Sequence, residues 1–161
     1  MWAIARGSVL NRQVHRFVCS ARVCWDAMTA AELRDFANRY TEAWCSQHPA
    51  LVAEFFSENG SLTINGGAPA VGRGQITEAA RSFMTAFPDL KITMDDLVTR
   101  GDKVEYHWTL HGTNTGPGGT GSRVTISGYE EWTMGADEKV AASLGHFDAA
   151  DYERQLSTSA G

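Results

Sequence analysis

Apolar and polar residues alternate strictly from Val104 to His111. Side chains on a β-strand point alternately to opposite faces of the sheet, so this pattern predicts a strand with one buried and one wetter face. Strand character returns from Arg123 to Thr133, and a further apolar run covers 140–147. A Gly/Pro cluster and a Gly-Ala-Asp turn separate the three runs, which predicts consecutive antiparallel hairpins. Strands of this length form a sheet that twists and curls, with a concave side.

The residues before these strands follow a helical period. Thr29 and Glu32 form a capping box ahead of an amphipathic helix that we expect to end near Gln47. The other predicted elements are, in order, a short helix from Pro49, a strand over 61–64, a helix after 72–74, a strand over 91–99 and a helical turn over 151–156. Helices first and antiparallel strands later indicate an α+β fold, with helices packed on one face of the sheet.

A length of 161 residues predicts one domain, large enough to bury a core and a cavity. We place this domain at 28–156, followed by a tail over 157–161. The net charge of −5 argues against a nucleic-acid surface, which needs clustered Lys and Arg. No apolar run approaches the roughly 20 residues of a membrane span. Three cysteines, an odd number, indicate a reducing compartment, and we expect a cytoplasmic protein.

The first 27 residues differ from the rest in charge. They hold four arginines and one aspartate, whereas residues 28–161 hold 10 basic and 18 acidic side chains. This composition resembles a transit peptide, but we interpret the segment as a flexible leader or an extension upstream of a true start at Met28. His15, Cys19 and Cys24 lie in this segment, but their spacing fits no standard zinc signature.

Two roles are open for Asp148, which follows the last predicted strand. It is a good N-cap residue for the final helix. It could also serve as a proton-transfer group, provided that apolar walls raise its pKa toward the operating pH. His146 shares its strand parity, so the two side chains would lie on one face and could share a proton. The alternative for His146 is a structural hydrogen-bond donor.

Aromatic residues recur in the predicted helices and strands and fit either a core or a cavity for a flat, ring-shaped ligand. The candidates are Tyr40, Trp44, Phe83, Phe87, Trp108 and Trp132. Glu130 and Glu131 lie on opposite faces of one strand, and the sequence leaves open which of them points inward. His107 and His111 share a face, but no third ligand accompanies them, so we expect no metal.

Several segments resemble the SnoaL-like polyketide cyclase family, which belongs to the nuclear transport factor 2-like superfamily with the ketosteroid isomerases. The segments are Phe87-Pro88-Asp89-Leu90, Gly101-Asp102-Lys103-Val104, residues 108–116, Thr120-Gly121-Ser122-Arg123-Val124, Lys139-Val140, Asp148 and Gln155-Leu156. The resemblance covers about residues 29–156. It implies a cone: a curved mixed or antiparallel sheet wrapped round the N-terminal helices, with an apolar cavity at the open end.

The resemblance also implies a reaction. SnoaL-like cyclases close a carbon ring by intramolecular aldol condensation without metal or organic cofactor, and Asp148 stands where the family has its acid/base aspartate. Asn65 and Asn114 stand where the family often has histidines. Asparagine can donate a hydrogen bond to an oxyanion but cannot move a proton near neutral pH, so Asp148 would act largely alone.

Our leading hypothesis is a cofactor-independent cyclase or isomerase that abstracts a proton next to a carbonyl of a small apolar ligand. Asp148 and His146 would be catalytic, and the predicted ligand contacts are Tyr40, Trp44, Asn65, Trp108, Asn114 and Trp132. The alternative is a non-catalytic ligand-binding or homodimerisation domain. An epoxide hydrolase would need Arg123 and Glu131 in the cavity. We expect a homodimer or homotetramer. A cavity of about 300 Å³ or more opening onto Asp148 would favour the enzyme, and an exposed Asp148 at the helix start would argue against it.

Overall fold

The computed structural model describes residues 28–158, which form four helices and one six-stranded sheet. The helices are α1 (Ala30–Cys45), α2 (Pro49–Ala53), α3 (Gly72–Ala86) and α4 (Ala149–Ser157). The strands are β1 (Phe56–Ile64), β2 (Ala70–Val71), β3 (Lys91–Arg100), β4 (Lys103–Thr113), β5 (Arg123–Met134) and β6 (Val140–Phe147). No helix among the described residues is long and apolar enough to cross a bilayer. The predicted leader at 1–27 and the last three residues of the predicted tail lie outside the described residues.

The sheet has the order β2-β1-β6-β5-β4-β3. Strand β1 runs parallel to β6, and every other neighbouring pair is antiparallel, so the sheet is mixed. The buried faces of α1 and α3 pack against one side of this sheet, which we call the inner face, and the core lies between them. The other side is the outer face. This arrangement confirms the predicted α+β class, with a curved sheet covered by helices.

The period of the hydrophobic residues decides which side of each long strand is buried. Along β4, Val104, Tyr106, Trp108 and Leu110 are all buried. Along β5 the buried positions are Val124, Ile126, Glu130 and Trp132. The intervening residues form the outer face, where a polar ladder runs across β4 and β5. The predicted inner and outer parities of both strands are therefore confirmed.

The capping box at the start of α1 forms as predicted. The Thr29 hydroxyl accepts a hydrogen bond from the Glu32 amide at 3.2 Å, and the Glu32 carboxylate accepts one from the Thr29 amide at 2.8 Å. These two bonds satisfy backbone donors that a helix start leaves free.

The prediction was wrong at the start of the first strand, which begins at Phe56 and not at residue 61. Phe55 and Phe56 follow the apolar period of the preceding helix, but the chain pairs there with β6: Phe56 lies opposite Val140, whose amide donates to the Phe55 carbonyl at 2.9 Å. Tertiary pairing overrides the local helical pattern. The two-residue strand β2 was not predicted, and α4 begins two residues earlier than expected, at Ala149.

Candidate functional site

A small cavity of about 50 Å³ lies between the inner face of the sheet and helices α1 and α3. Its wall is almost wholly apolar. The lining residues are Trp44, Leu62, Ile64, Phe83, Ile92, Tyr106, Trp108, Leu110, Ile126, Glu130, Gly145 and Phe147. Ile64, Phe83, Ile92 and Phe147 are partly exposed and mark its open side. The volume falls short of the about 300 Å³ that ligand sites usually reach.

A glycine on β5 makes room for Trp108, one of the two tryptophans in this wall. Gly128 lies directly opposite Trp108 on the neighbouring strand. A Cβ atom at Gly128 would lie 2.7 Å from Cζ2 of the indole and 2.3 Å from the backbone oxygen of His146. Only glycine therefore lets the indole lie flat over β5 at this point, since real Cβ atoms do not approach so closely.

Glu130 is the carboxylate of the cavity wall, and only 7% of its surface is exposed. Its Oε2 atom accepts hydrogen bonds from Ser143 Oγ at 2.7 Å, Trp132 Nε1 at 2.8 Å and the Tyr40 hydroxyl at 3.1 Å. The other oxygen, Oε1, is reached only by the Tyr40 hydroxyl, at 3.2 Å. Tyr40 has one proton to donate, so its bond is shared between the two oxygens, and Oε1 is the less satisfied atom.

Burial raises the pKa of Glu130, because the charged form loses hydration that the protein replaces only in part. The bonds from Trp132, Ser143 and Tyr40 oppose this shift without cancelling it. Burial and the adjacent Glu130 charge also raise the pKa of Tyr40 well above its ordinary value, so the phenol stays protonated. Glu130 is therefore a carboxyl group whose proton affinity the fold has increased.

The indole nitrogen of Trp108 is a second polar group in the wall. Among the buried side-chain nitrogens and oxygens of the described residues, it alone has no hydrogen-bond partner. Trp132, by contrast, donates its indole proton to Glu130. A buried donor without an acceptor costs free energy, and such a group in a native structure calls for an explanation.

Asp148 lies at the N-cap of α4, where its carboxylate accepts a hydrogen bond from the Asp151 amide at 2.9 Å. It is exposed and does not line the cavity. His146 is also exposed and packs on Tyr129 of the outer face, with ring centroids 4.8 Å apart. This is the capping arrangement that the sequence left open, and it gives Asp148 no apolar surroundings. The predicted catalytic role of this pair stays a prediction.

The two asparagines at the family's histidine positions hold the backbone. Asn65 has φ +48° in the turn after β1, and its side-chain oxygen accepts from the Phe147 amide at 2.9 Å. Asn114 is buried, donates to the Ala86 carbonyl at 3.2 Å and accepts from the Thr120 amide at 2.8 Å. Neither side chain lines the cavity. These contacts give both residues a structural role, and their predicted ligand contacts stay predictions.

The four aromatic candidates for ligand contact divide into two groups. Trp44 and Trp108 line the cavity, as expected of ligand contacts. Tyr40 and Trp132 are fully buried behind the wall and donate to the carboxyl group of Glu130. The second group therefore supports the acidic residue.

Sequence reasoning left Glu130 undecided, although one signal could have found it. Glu130 shares its strand parity with Val124, Ile126 and Trp132, all of which are apolar. An acid within a buried apolar row is the exception to the pattern, and buried acids have specific partners. Glu131, on the other parity, lies on the outer face opposite Glu105.

The histidines and charges proposed for other chemistries lie outside the cavity. His107 contacts Glu105 at 3.2 Å, and His111 contacts Thr125 at 3.1 Å, both on the outer face. Arg123 and Glu131 also have the outer parity, so the arrangement required of an epoxide hydrolase is absent from the cavity lining. Within residues 28–158, no three metal-ligating side chains cluster. His15, Cys19 and Cys24 lie outside the described residues.

Comparison with known proteins identifies solved structures that have the same fold. Solved structures that share the fold include TsrD from Streptomyces laurentii (TM-score 0.71, 22% identity, 81% of this chain and 98% of that chain covered). A putative SnoaL-like polyketide cyclase from Jannaschia sp. CCS1 gives a TM-score of 0.69 at 17% identity, covering 78% and 91% of the two chains. A hypothetical protein with a ketosteroid isomerase-like fold from Catenulispora acidiphila, in complex with trimethylamine, gives a TM-score of 0.67 at 15% identity, with 76% of this chain and 92% of that chain covered.

A search of curated proteins by sequence finds no match. The model of the SnoaL-like polyketide cyclase family matches residues 34–156, which is most of the chain and spans every strand of the sheet. The fold of the solved structures and the segments that resemble the family agree with this match. The chain therefore belongs to the SnoaL-like polyketide cyclase family.

Proposed function

We propose that the protein binds the carbonyl end of a small apolar molecule in the cavity and moves a proton next to that carbonyl, with Glu130 as the acid/base. The observation that carries the proposal is a single carboxyl group held at an apolar wall by three donors. Family membership supports a small-molecule function of the cyclase type or a related one.

The proposed chemistry needs a carboxyl group whose pKa is raised toward the operating pH, because a base of ordinary acidity abstracts a carbon-bound proton poorly. Burial acts in this direction on Glu130. In its charged form, Glu130 would take a proton from the carbon beside the carbonyl, which leaves an enolate. The resulting acid would return the proton to the same or another carbon, so no cofactor enters the balance. Ser143, Trp132 and Tyr40 would hold the carboxyl group in one orientation throughout.

The cavity volume limits what can enter. About 50 Å³ is a third of an engineered cavity of about 150 Å³ that holds benzene. A polyketide ring system would not fit inside without rearrangement of the wall. We therefore propose that only the reacting end of the ligand enters and that the remainder lies between the partly exposed Ile64, Phe83 and Phe147 on the open side.

The test is exchange of the carbon-bound protons of acetone and cyclopentanone in D₂O, followed by NMR. Replacement of Glu130 by Gln keeps the shape of the side chain but removes the base, and it should slow exchange by about 100-fold or more. Glu131→Gln makes the same chemical change on the outer face and should leave exchange unaltered. Loss of exchange in Asp148→Asn with Glu130 intact would instead support the predicted Asp148 and His146 pair. No exchange above buffer by the unaltered protein would refute the proposal.

A binding function without catalysis is the second candidate. Trp44, Tyr106 and Trp108 are aromatic residues of the wall that also contains the Glu130 carboxyl group, and aromatic ring faces attract small alkylammonium ions. The Catenulispora protein with the same fold was solved with trimethylamine. Saturable binding of trimethylamine that blocks ketone binding, without proton exchange, would favour this candidate.

We propose that the protein acts as a homodimer in the cytoplasm, with the outer face as the contact. What supports this surface is Leu144 of β6, of which 42% is exposed and which lies directly opposite Glu131. Tyr129, stacked on His107, lies diagonally across from it. Leu144→Lys should produce monomers in light scattering after gel filtration. Val71→Lys changes a residue that is 50% exposed on β2 and should not. A monomeric unaltered protein would refute the proposed dimer.

A further inference from the structure

The indole nitrogen of Trp108 has no acceptor, whereas that of Trp132, another core indole, has one. Trp108 is 91% buried and lines the cavity, and its nitrogen has no partner among the described residues. Phe147 packs against it with ring centroids 6.1 Å apart, but a phenyl ring offers no lone pair. Trp132 bonds to Glu130 at 2.8 Å, so the fold can satisfy an indole where the role is structural.

The strand register places the side chain of Trp108 diagonally next to that of Glu130 on the inner face. Trp108 lies opposite Gly128, and Glu130 is the next inner-face residue of the same strand. Diagonal neighbours on adjacent strands lie about 7–8 Å apart, within reach of one small ligand. A Cβ at Gly128 would collide with the indole ring of Trp108 as well as with the backbone of β6, so glycine is needed there for the indole to occupy this position.

We infer that Trp108 is the specificity-determining donor of the site: its N–H binds the oxygen of an uncharged carbonyl ligand whose neighbouring carbon faces Glu130. An indole N–H can only donate, so it selects an acceptor atom and rejects an ammonium group. Once such an oxygen is present, the buried donor gains the partner it lacks. This inference rests on the proposed function and names its ligand class.

A ligand can reach the indole nitrogen of Trp108 only if the groups around that atom move. Neighbouring groups cover the atom in the ligand-free structure. Phe147 is partly exposed on the open side and contacts both the indole and Tyr152 of α4, at 6.1 Å and 5.6 Å between centroids. Binding at the nitrogen therefore requires the groups that cover it to move, and Phe147 is a partly exposed ring that contacts the indole on the open side.

The test measures the indole N–H signals of the full chain by ¹⁵N NMR. The chain has five tryptophans, and Trp108→Phe assigns the relevant signal by its disappearance. Cyclopentanone and methylenecyclopentane have nearly the same shape, but only the ketone offers an acceptor. We expect the ketone alone to move the Trp108 signal downfield. Trp108→Phe should weaken ketone binding about three- to tenfold relative to the hydrocarbon.

Trp44→Phe is the matched control, since Trp44 lines the same cavity. It should change the binding of the ketone and the hydrocarbon equally. Two results would overturn this inference while the proposed function stands. In the first, ketone binding shifts the NMR signals of other cavity residues but not the Trp108 indole signal. In the second, Trp108→Phe leaves the ratio of ketone affinity to hydrocarbon affinity unchanged. Failure of the ketone to bind at all would overturn both.

Discussion

Replacement of Glu130 by Gln tests the central physical argument, that the fold destabilises the charge of this carboxyl group. Gln keeps an oxygen for the bonds from Ser143 and Trp132, at 2.7 and 2.8 Å, and it carries no charge at any pH. The variant therefore separates the charge of Glu130 from its shape. Glu131→Gln, which removes a charge from the outer face, is the control.

The sign of the effect follows from proton linkage. Burial raises the pKa of Glu130 above its value in the unfolded chain, so the folded state holds the proton more tightly. The stability that this gives is fully present below the unfolded pKa of about 4.3, and it is lost as the pH rises through the folded pKa. Between these two pKa values, the free energy of unfolding of the wild type should fall by about 1.4 kcal/mol per pH unit relative to that of Glu130→Gln.

The assay is urea unfolding of both proteins from pH 3.5 to 8.5, analysed as the difference in the free energy of unfolding. Lowered pKa values of Asp89 and Asp151 add stability with rising pH, but they are common to both proteins and cancel in the difference. Glu130→Ala should cost about 3 kcal/mol or more, because three buried donors lose their acceptor. A wild type that gains stability over Glu130→Gln as the pH rises would refute the reasoning, since the network would then favour the charged form.

Three further predictions concern stability. Asp148→Ala should lower the free energy of unfolding in urea by about 1 kcal/mol, because α4 loses its N-cap bond. The variant should bind ketones as the wild type does, and altered ketone binding would contradict a purely capping role. Gly128→Ala should lower the free energy of unfolding by about 2 kcal/mol or more, since the new Cβ would lie 2.3 Å from a backbone oxygen of β6. As a control, Gly74→Ala places a Cβ with no atom within 4 Å, so this variant should be neutral or stabilising. Ser143→Ala should cost about 1 to 2 kcal/mol and raise the pH at which proton exchange reaches half its maximum, because the carboxylate loses a donor.

Periodicity was sufficient for most of the fold. The alternation in β4 and β5 and the helical spacing in α1 report which residues meet the core, so strand and helix positions could be read within a few residues. The errors occur where a local pattern competes with a distant partner. Phe56 continues an apolar helical period and nevertheless pairs with Val140, 84 residues later, because that pairing completes the sheet.

The candidate functional site was harder to predict from the sequence than the fold. The family resemblance favoured a catalytic Asp148 beside His146, but an N-cap residue and a cavity acid look alike in sequence until the path of the helix is known. Asn114 similarly looks like a ligand contact, yet its amide donates to Ala86 at the end of α3 and accepts from Thr120 in the turn that follows β4. In each case the deciding quantity is the exposure of a polar atom, which depends on elements distant in the chain.

The amino-acid sequence by itself determined most of the secondary structure and the inner and outer faces of the long strands, because these follow from the spacing of side chains along the chain. Its segments also carried the resemblance to the family. Only the tertiary structure decided that Glu130 is the buried acid, that Trp108 has a free donor and that the cavity is small. Burial and hydrogen bonding are set by contacts between β5, β6 and α1, and no single segment contains the information about its neighbours in space.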